Sequence, residues 1–394
     1  MRKIKNSEIV TFIRDIYSSS DNEVIPLHEP RFISNEKDAL NDCIDSTYVS
    51  TVGEYVTKFE KKIGDYTGAK HVIPTTNGTS ALHVSMIAAG VRPGDEVITQ
   101  AFTFVATCNA INYCNAKPVF VDISRETLGL CPKSLKKWLK NNSENKKNNL
   151  YNKKTGAKIT AVVPMHTFGH SCQINEIRDI CKEFNLILIE DTAEALGSFS
   201  NNKHLGVYGD IGTLSFNGNK IITTGGGGAV LTNNDNYAER IRHISTTARV
   251  KTKFTFDHDE IGYNYRMPNL NAALGCAQME SLEDFLTIKA QLANQWNSFF
   301  NERDVDFVNS IDENKSNHWL NAIILESRKE RDEFLRLTNE ASIMTRPIWT
   351  LMSKLPMFKN YQSDGLKNSL WLEDRVVNIP SSVPDGALNK LDKE

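Results

Sequence analysis

INEIRDICKEFNLILIED, residues 174–191, decides how the chain is read. Its first half places Ile174, Ile177, Cys181 and Phe184 on one helix face, and its second half, LILI, runs without a break into Glu190 and Asp191. An apolar-striped helix followed by a strand apolar on both faces is the repeating unit of a sheet covered by helices on two sides. The carboxylate at the strand's end is then the first candidate for chemistry, because ligands of such sheets gather at the carboxyl ends of the strands.

The same rhythm continues in both directions. NGTSALHVSMIAAG (77–90) predicts a capped helix ending at glycine, VIT (97–99) a strand, TFVATCNAINYC (103–114) a helix, and PVFVDI (118–123) and ITAVVPM (159–165) two more buried strands. KNNSENKKNNLYNKKTGAK (140–158) is polar with almost nothing to bury and reads as a surface loop. PNLNAALGCAQMESLEDFL (268–286) predicts one long helix leading to a C-terminal part, in which ILESRKERDEFLRLTNE (324–340) gives a strand and then a charged helix. The expected organisation is an N-terminal helix and extension over 1–30, a large domain over 31–245 and a smaller C-terminal α/β domain over 246–394.

Composition narrows the class. At 394 residues with 40% hydrophobic content, the chain exceeds what one core usually supports. A net charge of -2 leaves no basic excess for nucleic acid or an anionic membrane surface. Seven cysteines without a CxxC pair suit reduced thiols, so a cytoplasmic location is expected and no metal is called for. The opening MRKIKNSEIVTFIRDIY has charge through its middle and reads as an amphipathic helix, neither signal peptide nor membrane span.

Four polar groups follow apolar runs: Asn77-Gly78-Thr79, His166 with Thr167, Asp191 with Glu194, and Ser215 to Lys220. Gly78 and Thr79 open a helix, where free amides and the dipole favour a phosphate, although such residues cap most helices. Asp191 and Glu194 also read as a capping box, and Lys220 as a solvated turn lysine. A desolvated lysine is equally a nucleophile toward carbonyls. The four glycines at 225–228 fit neither a dinucleotide fingerprint nor a Walker loop and point to close backbone approach. Together, Lys220, Asp191, the aromatic Phe104 and the Gly78-Thr79 helix start meet every demand of pyridoxal phosphate: a covalent anchor, a ring-nitrogen partner, a stacking face and a phosphate cradle.

NGTSAL, TFVATCNAI, EDTAEALGS, GTLSFNGNKIITTGGGG and GYNYRMPNLNAALG, in that order, resemble the sugar-nucleotide aminotransferases of the DegT/DnrJ/StrS type. The resemblance runs from about residue 24 to the C-terminus. It implies fold type I, the aspartate aminotransferase-like α/β fold, with a mixed, mostly parallel sheet in the large domain. It implies pyridoxal 5′-phosphate (PLP/PMP) as cofactor, Lys220 as the Schiff-base lysine and Asp191 as the pyridine-nitrogen partner. Phe104 takes the stacking position, Gly78, Thr79 and Ser215 hold the phosphate, and Asn264 reaches the phosphate of a neighbouring subunit, so a homodimer with active sites at the interface is expected. Glu194 departs from the Gln or His common at that position, where the cofactor's ring hydroxyl is met. An acid there would repel a phenolate unless one of the two is protonated.

PLHEPRFISNEKDALNDCIDSTYVSTVGEYV (26–56) and TRPIWTLMSKLPMFKN (345–360) resemble the branch acting on UDP-linked 2-acetamido-4-keto-6-deoxy sugars, as in bacillosamine and legionaminic acid pathways, with L-glutamate as amino donor. A dTDP- or GDP-linked keto sugar is the alternative substrate. His166, Arg266 and Arg346 are candidate substrate contacts, the arginines for a carboxylate or diphosphate, with ion pairs and a satisfied strand-end histidine as the plainer readings. A non-catalytic, PLP-binding regulator is the alternative of another class, against which stand the intact lysine and the lack of a helix-turn-helix or basic stripe.

Overall fold

The structure, a computed structural model, describes residues 6–391 apart from 251, 312 and 313. One nine-stranded sheet organises most of the chain. Its strands in chain order are β1 (His71–Thr75), β2 (Glu96–Gln100), β3 (Lys117–Val121), β4 (Ser143–Lys146), β5 (Asn149–Asn152), β6 (Lys158–Val163) and β7 (Ile187–Asp191). After the short strands β8 (Phe199–Ser200) and β9 (Lys203–His204) come β10 (Ile211–Ser215) and β11 (Gly228–Thr232). The spatial order is β1-β11-β10-β7-β6-β2-β3, with β5 beside β6 and β4 beside β5.

The pairs β10–β7, β7–β6, β6–β2 and β2–β3 are parallel, while β11 runs antiparallel to both β1 and β10. Two antiparallel steps restore the direction, so β1, β2, β6, β7 and β10 all end on the same side of the sheet. The strand interiors are buried, as unbroken Val/Ile runs require when helices cover both faces.

The first helices are α1 (Asn6–Tyr17), α2 (Glu36–Asp45), α3 (Glu54–Thr67), α4 (Gly78–Ala88), α5 (Val105–Tyr113), α6 (Pro132–Asn142), α7 (Ile174–Glu183) and α8 (Asp235–Ser245). The helix expected over the N-terminal stretch is α1, residues 1–5 lying outside the described residues. The single long helix expected over 268–286 is instead two, α9 (Asn269–Glu280) and α10 (Leu282–Asn301), separated at Ser281, whose ψ of 2° leaves the helical range. α9 packs on α2 through Ala273, Ala277, Ala39 and Cys43, with Tyr55 of α3 against the same cluster, while α10 runs on to a second sheet.

That sheet, in the order β12-β14-β16-β15, comprises β12 (Asp306–Phe307), β14 (Asn321–Ile324), β15 (Arg346–Pro347) and β16 (Val376–Ile379), with β13 (Asn314–Lys315) reaching back to β8. Its core joins Trp296, Phe300, Ile323, Ile343 and Val377 to Ile9 and Ile13 of α1, so the chain's first helix completes the C-terminal sheet. α11 (Arg328–Glu340), α12 (Lys367–Glu373) and α13 (Asp385–Leu391) complete the description.

The stretch 140–158 is not the surface loop its composition suggests. Residues 143–152 form the hairpin β4–β5 around Lys147 and Asn148, both with positive φ (50° and 63°), the backbone a two-residue hairpin turn demands. Leu150 and Asn152 are buried, and Asn152 Nδ2 donates to the buried Glu96 carboxylate at 2.6 Å. A polar sequence is structured here because its asparagine answers a buried acid.

Candidate active site

Five strand ends deliver the cluster expected from sequence. After β7, Asp191 is buried and accepts two hydrogen bonds, from the Thr107 hydroxyl at 2.7 Å and the Ala193 amide at 3.2 Å. Burial raises its pKa, against the pull of those donors and of the Lys220 charge. Three residues on, Glu194 is 3% exposed. One of its oxygens accepts from the Phe168 amide at 2.9 Å and the other lies 3.4 Å from Lys220 Nζ. Burial pushes its carboxyl up to about 7, although the Lys220 charge opposes this. Phe168 itself holds a φ of 58°, strain of a kind that concentrates at functional sites.

Lys220 follows β10 in a turn closed by its own amide on the Asn217 carbonyl. Its side chain is largely buried, and the ammonium rests 3.9 Å from the centroid of the Trp319 ring. The lysine is therefore desolvated, beside a carboxyl that takes up a proton near neutrality, and near enough to Asp191 for each to feel the other's charge.

The glycines build the other end. Asn77 caps α4, its side chain accepting from Ser80 N at 2.8 Å. A Cβ on Gly78 would stand 2.9 Å from that of Ser215, and one on Gly228 would stand 2.5 Å from the Asn77 carbonyl carbon and 2.7 Å from Gly78 N. Gly228 in β11 thus lets the start of α4 lie directly on the strand, beside the Ser215 hydroxyl. The product is a cradle of main-chain amides, a hydroxyl and a helix N-terminus that suits a phosphate.

Phe104 stands half-exposed immediately before α5, one turn from Thr107, and its ring lies 5.9 Å from that of Trp349. Arg266 bridges to Thr75, and the Tyr265 carbonyl accepts from Thr76 N, which sets Arg266 beside the strand that leads to the cradle. Asn264, two residues earlier, is exposed.

Two expected substrate contacts sit elsewhere. His166 is fully buried, with Nε2 3.1 Å from Glu190 and Nδ1 accepting from Cys172 N. Both ring nitrogens are engaged within the protein, so it is a structural histidine serving a buried acid and not a sugar contact. Arg346 is exposed at the edge of the second sheet and bonds Asn339 and the Thr345 carbonyl. The structure does not bring it into the cluster; its neighbour Trp349 enters instead, against Phe104 and Phe168.

Thr107, Trp319 and Trp349 are the residues of this site that the sequence reading missed. Thr107 lies within TFVATCNAI, one helical turn after Phe104, and that spacing is its signal. Trp319 lies 99 positions beyond Lys220 and Trp349 further still, and nothing local marks them.

The sequence profile of the DegT/DnrJ/EryC1/StrS aminotransferase family matches residues 30–385. The chain belongs to that family. It is 37% identical to the GDP-perosamine synthase of Vibrio cholerae, over 91% of this chain and 94% of the relative, and 35% identical to that of Escherichia coli O157:H7, over 91% and 93%. Among solved structures, a DegT DnrJ EryC1 StrS aminotransferase from Brucella abortus superposes with a TM-score of 0.81 at 26% identity, covering 91% of this chain and 93% of that one. The fold is that of the type I aminotransferases, the protein is a sugar aminotransferase, and its cofactor is pyridoxal 5′-phosphate. The buried Lys220, the buried Asp191 carboxylate and the glycine-backed cradle fit that cofactor.

Proposed function

We propose that this aminotransferase moves an amino group from L-glutamate to C4 of a GDP-linked 4-keto-6-deoxy hexose. What carries the reading is Lys220 held between Glu194 and Trp319 within charge range of Asp191, together with relatives that are GDP-perosamine synthases across nearly their whole length. Those relatives favour GDP over the UDP-linked acetamido sugar expected from residues 26–56 and 345–360. The resemblance of those two stretches keeps the UDP-linked sugar as the second reading.

Bound pyridoxal phosphate supplies an electron sink for the carbon that exchanges its amino group. The chain's own residues bind, orient and move protons. Lys220 would anchor the cofactor and, once free, carry a proton on Nζ between donor and acceptor carbons. Asp191 would keep the ring nitrogen charged, which its two donors favour by holding it ionised. Glu194 would meet the ring hydroxyl, and a carboxyl poised near neutrality resolves the repulsion that an acid there would otherwise cause. Phe104 would cover a ring face, Gly78, Thr79 and Ser215 the phosphate, and Arg266 an anionic group of the substrate.

The second subunit is part of the proposal. Phe254, Phe256 and Ile261 are each at least 75% exposed on the segment just before Asn264, a density of apolar side chains that a partner chain would cover. We assign that partner as a second copy whose phosphate cradle Asn264 completes. Sedimentation of the parent and of a Phe254→Asp/Ile261→Asp variant tests it: a dimer that the double substitution splits is expected, and a monomeric parent contradicts the assignment.

The substrate is tested by incubating the enzyme with glutamate and GDP-, UDP- and dTDP-linked 4-keto-6-deoxy sugars while 2-oxoglutarate is followed. Fastest turnover is expected with the GDP-linked sugar. Turnover confined to the UDP-linked sugar would replace this reading with the second.

A further inference from the structure

Lys220 is held by two groups that are themselves tied together. Its Nζ lies 3.9 Å from the Trp319 ring centroid and 3.4 Å from Glu194. Asn317, fully buried, joins the two: its Oδ1 accepts from Trp319 N at 2.9 Å, and its Nδ2 donates to the Glu194 carbonyl at 2.8 Å. The indole is fixed at its far side as well, since Nε1 donates to the carbonyl of Asn219, the residue before Lys220, at 2.6 Å.

At the Trp319 main chain lies a second lysine with no part in the chemistry so far. Lys289 of α10 is 1% exposed, and its three hydrogen-bond partners are neutral: the Trp319 carbonyl at 3.3 Å, His28 Nε2 at 3.0 Å and the Ser381 carbonyl. Burial lowers its pKa to about 7. Among the described residues it meets no counter-ion, which makes it an expensive core residue. What it gives in return is a three-way tie among the N-terminal segment at His28, the segment at Ser381 and the strand entry at Trp319, none of which an aliphatic side chain could hold.

We propose that Trp319 is a positioning residue for Lys220, its indole face holding the ε-amine beside Glu194 whenever that amine is not bonded to cofactor, and that Lys289 with His28 braces the indole. This rests on the proposed role of Lys220 as cofactor anchor. A protonated nitrogen is attracted to an indole face, so the arrangement holds the amine at Glu194. The other charged or titratable groups acting on Lys220 are Glu194 and Asp191, which follow β7, and His28 from the N-terminal segment, while Lys289 bonds the Trp319 carbonyl.

The test uses the parent, Trp319→Leu, Trp319→Phe and Lys289→Met, each freed of cofactor so that the Lys220 amine is unbonded. Growth of the visible absorbance on adding pyridoxal 5′-phosphate follows the bonding of the amine to it, and borohydride fixation followed by peptide mapping identifies the lysine that carries it. Trp319→Leu is expected to slow that growth roughly tenfold at saturating cofactor, Trp319→Phe to restore most of the rate, and Lys289→Met to slow it by less than Trp319→Leu. An unchanged rate in Trp319→Leu with cofactor still fixed on Lys220 overturns the positioning role alone. Absence of fixation on Lys220 in the parent overturns the anchor assignment and this inference with it. If Trp319→Leu does not fold, Trp319→Met, which fills more of the indole's volume without a ring face, decides by the same readout.

Discussion

The Thr107 hydroxyl donates to Asp191 Oδ2 at 2.7 Å, so the first turn of α5 is fastened to the end of β7. The same turn begins at Phe104, and the bond therefore fixes the proposed stacking face relative to the proposed ring-nitrogen partner. Thr107→Val keeps the shape and removes the donor. Losing a hydrogen bond to a buried carboxylate costs about 1.5–3 kcal/mol, so pyridoxal phosphate affinity should weaken roughly tenfold or more, and Asp191→Asn should weaken it further. Equilibrium titration of cofactor-free protein measures both; an affinity unchanged in Thr107→Val would mean that Asp191 does not depend on α5.

Gly228 shows why the last of the four consecutive glycines cannot carry a side chain. A methyl there collides with main chain at Asn77 and Gly78, whereas one on Gly226 meets nothing closer than 3.8 Å. Gly228→Ala should therefore push the start of α4 off β11 and weaken binding of pyridoxal phosphate far more than binding of pyridoxal, which lacks the phosphate. Gly226→Ala should leave both unchanged. Equal losses for the two ligands in Gly228→Ala would show that the glycine serves the sheet and not the cradle.

How far the sequence reached follows from the range of the forces involved. Helix–strand alternation is local, and so β2, β3, β6, β7, α4, α5 and α7 fall where periodicity puts them. Strand ends are local too, which made Asp191, Glu194, Gly78 and Lys220 visible as a group. Pairing between distant segments is not. Trp319 reaches Lys220 only because the second sheet docks there, and His166 turns away from the cleft because Glu190, buried on the next strand, takes its Nε2. The break at Ser281 between two good helices carries no glycine or proline to announce it, and the hairpin at 143–152 hides its reason in Glu96, 56 residues before Asn152.

That partner makes the hairpin testable. Glu96 is buried and receives Asn152 Nδ2 at 2.6 Å and the Thr155 hydroxyl at 2.7 Å, while Asn152 also donates to Gln362 at 2.8 Å. Asn152→Ala strips a buried carboxylate of one of two side-chain donors and should cost about 2–3 kcal/mol. Urea unfolding should show the unfolding free energy falling by that amount, with turnover per folded molecule retained because the hairpin lies away from Lys220. Full stability in Asn152→Ala would mean that the pairing of β5 with β6, and not this side chain, holds the hairpin.

Glu194 ties the site to pH. Its carboxyl, ordinarily near 4.5, is raised to about 7 by burial. A raised acid is easier to ionise in the unfolded chain than in the folded one, so the folded protein loses stability as pH climbs from about 4.5 to 7 and carries the whole penalty above that. Glu194→Gln removes the titration while keeping an acceptor for Phe168 N, although Lys220 then loses its carboxylate partner. The melting temperature of the cofactor-free variant relative to the parent should therefore rise from pH 5 to pH 8, whatever constant offset the lost ion pair imposes at both. For the loaded enzyme, the amide cannot carry the proton that the carboxyl would share with the ring hydroxyl in its proposed role, and the acidic limb of the kcat profile should shift. A difference in melting temperature that stays flat from pH 5 to pH 8 would show that Glu194 remains ionised throughout, held down by Lys220, and the resolution offered above for its presence beside a phenolate would fail.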